Sequence, residues 1–266
     1  MNASPPPAFP EVVTGGQKLR AYAVHFYTAS GVVCAFLAAA EICAPQPDPR
    51  WVFVWLAVAG LIDATDGPLA RRWLVKSRAP RIAGRTLDDI VDYLTYTFLP
   101  LLLVWRLQWL PPPAGLWTVL AMVTSLFGFA NTTAKQEDDG FFLGFPSYWN
   151  VFAFYTGLWY VHYGPVMPVV VLVLLTVLTV LPVRFLYPNL APRPWRRPLI
   201  VGAWVWLGLL LALLPHFPIV PVWLVWVSLV YPGLYIGLSV YLDRVTRTRG
   251  DMGHNARAGE SGAESP

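Results

Sequence analysis

In the run Asp63-Ala64-Thr65-Asp66-Gly67-Pro68-Leu69-Ala70-Arg71, and again in Gly84-Arg85-Thr86-Leu87-Asp88-Asp89-Ile90-Val91-Asp92, aspartates interrupt strongly apolar sequence. The stretch 51–62 before the first run carries no charge, and neither does 93–104 after the second. An ionisable side chain at membrane depth is costly, so by default it marks a functional site. Four aspartates at helical spacing on two neighbouring segments describe a cage for divalent cations. A donor set made only of oxygen suits hard ions such as Mg²⁺ or Mn²⁺ rather than zinc.

The rest of the composition supports a membrane chain. Of 266 residues, 56% are hydrophobic and 13% charged. The charges are clustered, which leaves long apolar stretches of the kind that span a bilayer. Thirteen tryptophans fit interfacial belts, or equally packing. A net charge of +4 gives no nucleic-acid footprint, because the basic residues sit in loops between apolar segments. Cys34 and Cys43 fall on one predicted helix, about 13 Å apart at the α-helical rise, beyond disulfide reach; both read as packing residues. The Pro-rich N-terminus lacks an apolar core followed by a cleavage site, so no signal peptide is expected.

The pattern predicts an all-α integral membrane protein, a bundle of about eight transmembrane helices. They cover roughly 20–42, 51–77, 84–107, 114–133, 146–162, 165–186, 198–214 and 218–243. Prolines punctuate them at 111–113, 192–198, 215 and 218. Residues 20–245 form one membrane domain between two tails expected to be disordered, 1–19 and 246–266. With the N-terminus inside, 17 of the 19 Lys and Arg fall on the cytoplasmic side and only Arg50 and Arg106 fall outside. That bias sets orientation and leaves both termini in the cytoplasm. The expected location is a bacterial inner membrane, with the aspartates facing the cytoplasm.

Depth places the aspartates together. From Trp51, Asp66 lies about 23 Å into a ~30 Å core, so about 7 Å from its cytoplasmic edge. Counted from Gly84, Asp88 is about 6 Å deep and Asp92 about 12 Å. Spacings of three and four put each pair on one helical face, whereas Asp89 is rotated by about 100° and is left out. Four carboxylates this close either bind cations or protonate in part. Gly67 and Ala70 bare the helix surface beside them, and Arg71 can pair with phosphate or carboxylate. The alternative is a buried salt-bridge network of aspartates with Arg71 and Arg72.

The pattern D-x2-D-G-x2-A-R, a spacer, then G-x3-D-x3-D resembles the signature of the CDP-alcohol phosphotransferases, integral membrane enzymes that transfer a phosphoryl-linked group from a CDP-activated lipid or alcohol to a hydroxyl. All eight fixed positions are present. Most members have eight residues between the Arg and the second Gly; here Arg72 to Ala83 make twelve. That longer spacer is similar to the one in bacterial phosphatidylcholine synthases, which condense choline with CDP-diacylglycerol. Stretches 20–31 and 140–150 resemble that branch too, and it has about eight helices.

The resemblance implies roles. Asp63, Asp66, Asp88 and Asp92 would ligate Mn²⁺ or Mg²⁺, two ions in all, with Asp92 also the general base for the choline hydroxyl. Gly67, Ala70, Arg71 and Gly84 would shape the CDP-diacylglycerol pocket, with Thr28 a further contact. A homodimer is implied as well. Quaternary ammonium groups are held by ring faces, often near a carboxylate. Tyr22, His25, Tyr148, Trp149, Tyr187 and Glu137 are therefore the choline-site candidates, each with packing or a solvated loop as the alternative. The competing functions are a phosphotransferase using serine, inositol or glycerol 3-phosphate, for which the Arg-rich segment 193–197 offers a phosphate site, and a cation transporter. Transporters commonly bind at the midplane between repeated halves; no such repeat is detectable, and these acids lie nearer one face.

Overall fold

The computed structural model describes residues 13–131, 133, 135–136 and 140–262. It is a helical bundle. Helix α1 (Gly15–Ala29) starts at a capping box, with the Thr14 side chain and Gln17 exchanging hydrogen bonds with each other's backbone. After a one-residue turn at Ser30 it continues as α2 (Gly31–Ile42), together 28 residues of span. Helix α3 (Pro49–Arg72) returns across the membrane. The spacer then builds a short helix, α4 (Val75–Arg78), instead of a free loop. Its Val75 and Ala79 are buried against Ala21 and Val24 of α1, so the extra spacer length docks one end of α3 onto α1.

Helix α5 (Gly84–Asp92), a π-helical turn (Tyr93–Phe98) and α6 (Leu99–Arg106) form one continuous rod. Helices α7 (Ala114–Ala130), α8 (Trp149–Tyr163), α9 (Val166–Val180), α10 (Arg196–Leu213), α11 (Val222–Ser228) and α12 (Val230–Gly262) complete the bundle. Among the described residues, four segments are long and apolar enough to cross a membrane: Gly15–Ile42, Pro49–Arg72, Arg196–His216 and Val222–Thr246. Helices α7 and α9 are shorter and apolar. The main core gathers Ala38, Val52, Leu101, Leu103, Val104, Trp149, Leu158 and Val225, all nearly or fully buried. Large aliphatic side chains on the outward faces, such as Val170, Val201 and Leu234, are exposed, as a lipid-facing surface requires.

The expectation of helix throughout fails in one place. Strands β1 (Lys135–Gln136), β2 (Phe141–Leu143) and β3 (Arg184–Leu186) form an antiparallel sheet in that order. The sixth predicted helix therefore stops at Val180 rather than 186. Two glycines frame the turns: Gly140 and Gly144 have φ of 76° and 87°, and a Cβ at Gly144 would lie 2.5 Å from the Thr179 carbonyl oxygen. Only Gly tolerates both that φ and that approach. Arg184 ties the sheet to α12 through an ion pair with Asp243 and lies 4.9 Å over the Phe141 ring. At the ends, helix begins at Gly15 and continues to Gly262, so helical backbone enters both segments expected to be unstructured. Both cysteines are free; Cys34 is buried as expected, but Cys43 is exposed at the end of α2 rather than packed.

Candidate active site

Asp63 on α3 and Asp88 and Asp92 on α5 each offer a carboxylate oxygen, and these oxygens lie within 4.8 Å of one another. All three side chains are half-buried. Three carboxylates at this separation repel strongly unless a cation or protons intervene. The set is oxygen-only, accessible and convergent, which is the chemistry that Mg²⁺ and Mn²⁺ take. Asp89 stays outside the group and leans toward Arg85, 4.0 Å away one helical turn earlier.

Asp66 is not part of this trio. It is 7% exposed and accepts a hydrogen bond of 2.6 Å from the Thr28 hydroxyl of α1. Three residues turn a helix by about 300°, so Asp63 and Asp66 share a face only loosely. One meets α5 and the other meets α1. The neighbouring Tyr27 hydroxyl shares a 2.8 Å hydrogen bond with Thr65, a second strut between the same two helices. Thr28, expected to touch the nucleotide, thus holds an aspartate in this structure.

The small motif residues make room for large ones. A Cβ on Gly67 would sit 3.5 Å from the Arg71 guanidinium, an ordinary contact, so Arg71 folds back along this part of α3. Ala70 and Arg71 line a cavity of about 430 Å³ with Lys76 and Ser77. Gly84 opens α5 against His25, whose Cε1 would be 3.1 Å from an added Cβ. His25 is buried, and its Nε2 has no hydrogen-bond partner among the described residues. Arg193, Arg196 and Arg197, the alternative phosphate site, are exposed.

The aromatic candidates separate. Tyr22 packs edge-on against His25 at 6.4 Å on α1. Tyr148 caps α8 and meets Tyr96 at 6.2 Å and Phe145 at 6.4 Å. Trp149 is fully buried, donates its indole N–H to Ser125 at 2.6 Å, and packs on Phe145 and Phe152. It packs as a core residue here, unlike the open ring face expected of a choline-site candidate. Tyr187 is half-buried with its ring 6.0 Å from Phe142. Glu137 lies outside the described residues.

Tyr96 is the residue that sequence reasoning missed. Its hydroxyl donates to Asp63 Oδ2 at 2.8 Å, from within the π-helical turn that follows Asp92 directly. The signal was present as the spacing Asp88, Asp92, Tyr96, one stripe on a helix. π-Turns inside α-helices often mark functional sites.

A carboxylate trio where two helices meet, inside a bundle with apolar helices long enough to cross a membrane, defines a class: all-helical proteins of membrane type with an acidic centre that could hold a metal ion. No family model matches the chain. It is, however, 36% identical over 222 residues to the phosphatidylcholine synthase of Rhizobium meliloti, covering 82% of this chain and 88% of that protein. It is 38% identical over 191 residues to that of Bradyrhizobium diazoefficiens (71% and 70%), and 42% identical over 139 residues to that of Pseudomonas aeruginosa (52% and 57%). The chain belongs to the phosphatidylcholine synthase family.

Proposed function

We propose that this protein condenses choline with CDP-diacylglycerol to give phosphatidylcholine and CMP, at an acidic centre that opens to the cytoplasm of a bacterial inner membrane, in a bundle of about eight spans with both termini cytoplasmic. The observation that carries the chemistry is the convergence of Asp63, Asp88 and Asp92 within 4.8 Å. These three would hold the divalent cation, Mn²⁺ or Mg²⁺, with Asp66 close by on α3. A bound cation supplies charge neutralisation for the diphosphate and its leaving group.

The chain's own residues do the rest. Asp92 takes the proton of the choline hydroxyl. The choline oxygen attacks the phosphorus that bears the diacylglycerol. A new P–O bond forms, the P–O bond to CMP breaks, and CMP leaves with the electron pair. Arg71, with Lys76 in the same cavity, meets the negative charge of the nucleotide phosphates. Tyr96 keeps Asp63 in place through its hydrogen bond. As in other phosphoryl transfers, positioning and charge neutralisation carry the reaction.

The test is to incubate purified protein with CDP-diacylglycerol, Mn²⁺ and a panel of choline, serine, inositol and glycerol 3-phosphate. Phosphatidylcholine and CMP should form with choline alone. Faster lipid formation from another acceptor would remove choline and leave the wider phosphotransferase chemistry.

A further inference from the structure

The segment Arg193-Pro194-Trp195-Arg196-Arg197 opens α10, and the reaction above gives it no task. Arg193, Arg196 and Arg197 are exposed. None of the three makes an ion pair or a side-chain hydrogen bond with a described residue. Other arginines are answered within the fold: Arg50 by Asp48, Arg184 by Asp243 and Arg106 by the Ala44 carbonyl. The first turn of α10 holds no acidic residue and no side-chain cap. Cations at a helix start oppose its dipole, so this segment gathers positive charge that no described carboxylate balances.

The position of these charges says what balances them. Helix α10 belongs to the segment Arg196–His216, long and apolar enough to cross a membrane. Its first turn therefore lies at the level where the headgroups of a bilayer begin. Val201, Trp204 and Val205 follow Arg197 by four, seven and eight residues, which places all four on one helical face. The three apolar residues are 60%, 55% and 69% exposed, so no described residue covers this face and it is free to meet acyl chains. By the α-helical rise, Arg197 stands about 6 Å beyond Val201 and about 12 Å beyond Val205 along the axis. A lipid lying on this face rests its acyl chain on Val201, Trp204 and Val205 and brings its phosphate beside Arg197. Trp195, 40% exposed, adds a ring of the kind that settles at a membrane–water interface. Pro192, Pro194 and Pro198 stiffen the backbone that presents the three arginines.

We infer that Arg193, Arg196 and Arg197 form a binding site for the phosphate of an anionic phospholipid in the surrounding bilayer, with Val201, Trp204 and Val205 carrying its acyl chain. The guanidinium fork matches a phosphate, which accepts two parallel hydrogen bonds. A zwitterionic lipid has the same phosphate but brings its own ammonium, so the patch favours a lipid of net negative charge. A soluble phosphate ester would meet the same three cations but would gain nothing from the apolar face. The site lies on α10, away from the motif residues of α3 and α5, and is independent of the reaction proposed above.

The test places the full-length protein in phosphatidylcholine nanodiscs containing a small fraction of photoreactive lipid. The probe is either phosphatidylglycerol or phosphatidylcholine, each with a diazirine high on one acyl chain, and crosslinks are mapped by peptide mass spectrometry. Over residues 190–205 the phosphatidylglycerol probe should crosslink about fivefold more than the phosphatidylcholine probe, roughly the worth of one Arg at an anionic surface. Around Ile219, 79% exposed just past the other end of α10, the two probes should crosslink alike. Arg193→Gln, Arg196→Gln and Arg197→Gln together should bring the ratio over 190–205 to about one, whereas Lys at the same three positions keeps the charge and most of the preference. If the triple Gln protein does not fold, Arg197→Gln alone carries the test with a fall of about twofold or more. Equal crosslinking by the two probes over 190–205 in the wild type overturns the site. So does a phosphatidylglycerol preference that survives the Gln substitutions. A preference abolished by millimolar glycerol 3-phosphate also overturns it, and makes the patch a site for a soluble phosphate.

Discussion

At the scale of single residues, the acids do different work although the motif presents them alike. Asp63, Asp88 and Asp92 point at one another, while Asp66 is buried against Thr28 and Asp89 leans toward Arg85. Asn substitution removes charge at little change of shape. Asp92→Asn should lower kcat by about 10²-fold or more, the usual worth of a general base. Asp63→Asn and Asp88→Asn should also weaken Mn²⁺ binding, measured by titration calorimetry on the same proteins. Asp89→Asn lies off the centre and should stay within about twofold of wild type, as for most partly exposed substitutions. Equal loss at Asp89 in folded protein would break this assignment of faces. Thr28 gives a second contrast: Thr28→Val strips a buried carboxylate of its donor, at about 1–3 kcal/mol, whereas Thr28→Ser keeps the hydroxyl. Thermal unfolding in detergent should show the Val variant clearly less stable than the Ser variant. The four-aspartate pattern was legible because carboxylates at helical spacing in apolar sequence have few explanations. The separate fate of Asp66 was not, because nothing in the local spacing says which neighbouring helix will face it.

At the scale of elements, the site depends on how closely helices approach and on one irregular turn. A Cβ at Gly31 would lie 2.6 Å from a Val91 methyl, so α2 touches the face of α5 next to Asp92. Gly31→Leu should force α5 outward, cost about 1–3 kcal/mol in overpacking, and cut turnover although it touches no substrate. A Val91→Ala change in the same protein should restore part of the activity, because it removes the clashing methyl; no recovery would disconnect this contact from the site. The π-helical turn Tyr93–Phe98 adds one residue to the α-helical register in the stretch that carries Tyr96, the donor to Asp63. Periodicity finds the rod from Gly84 onward but not the extra residue within it. The sheet was equally hidden: three-residue strands carry too little pattern to compete with the apolar runs around them, and their signal lies in Gly140 and Gly144, whose need for positive φ shows only once the turn is seen.

At the scale of the whole molecule, the distribution of charge and the geometry of the acids agree about which end is which. Arg106 donates to the Ala44 carbonyl at 3.2 Å and Arg50 pairs with Asp48 at 2.6 Å. Both basic residues expected outside therefore gather where α2, α3 and α6 meet, at the end of α3 opposite its aspartates. Arg71, Arg72, Lys76, Arg78, Arg81 and Arg85 flank the aspartates on the other end of α3 and α5. Apolar composition made the membrane-type helices readable, since they rest on long runs rather than on contacts, and the proposed orientation rests on counts of Lys and Arg alone. Single cysteines test the result in a background lacking Cys34 and Cys43. Ser77, exposed on α4, and Val166, 65% exposed at the start of α9, mark the two ends. An impermeant thiol reagent added to intact cells should label Val166→Cys and spare Ser77→Cys, while both react once the membrane is opened. CDP-diacylglycerol should slow the labelling of Ser77→Cys in opened membranes, because Ser77 lines the cavity that holds Arg71 and Lys76. Labelling of Ser77→Cys from outside would place the acidic centre on the wrong face for a nucleotide-activated lipid made in the cytoplasm.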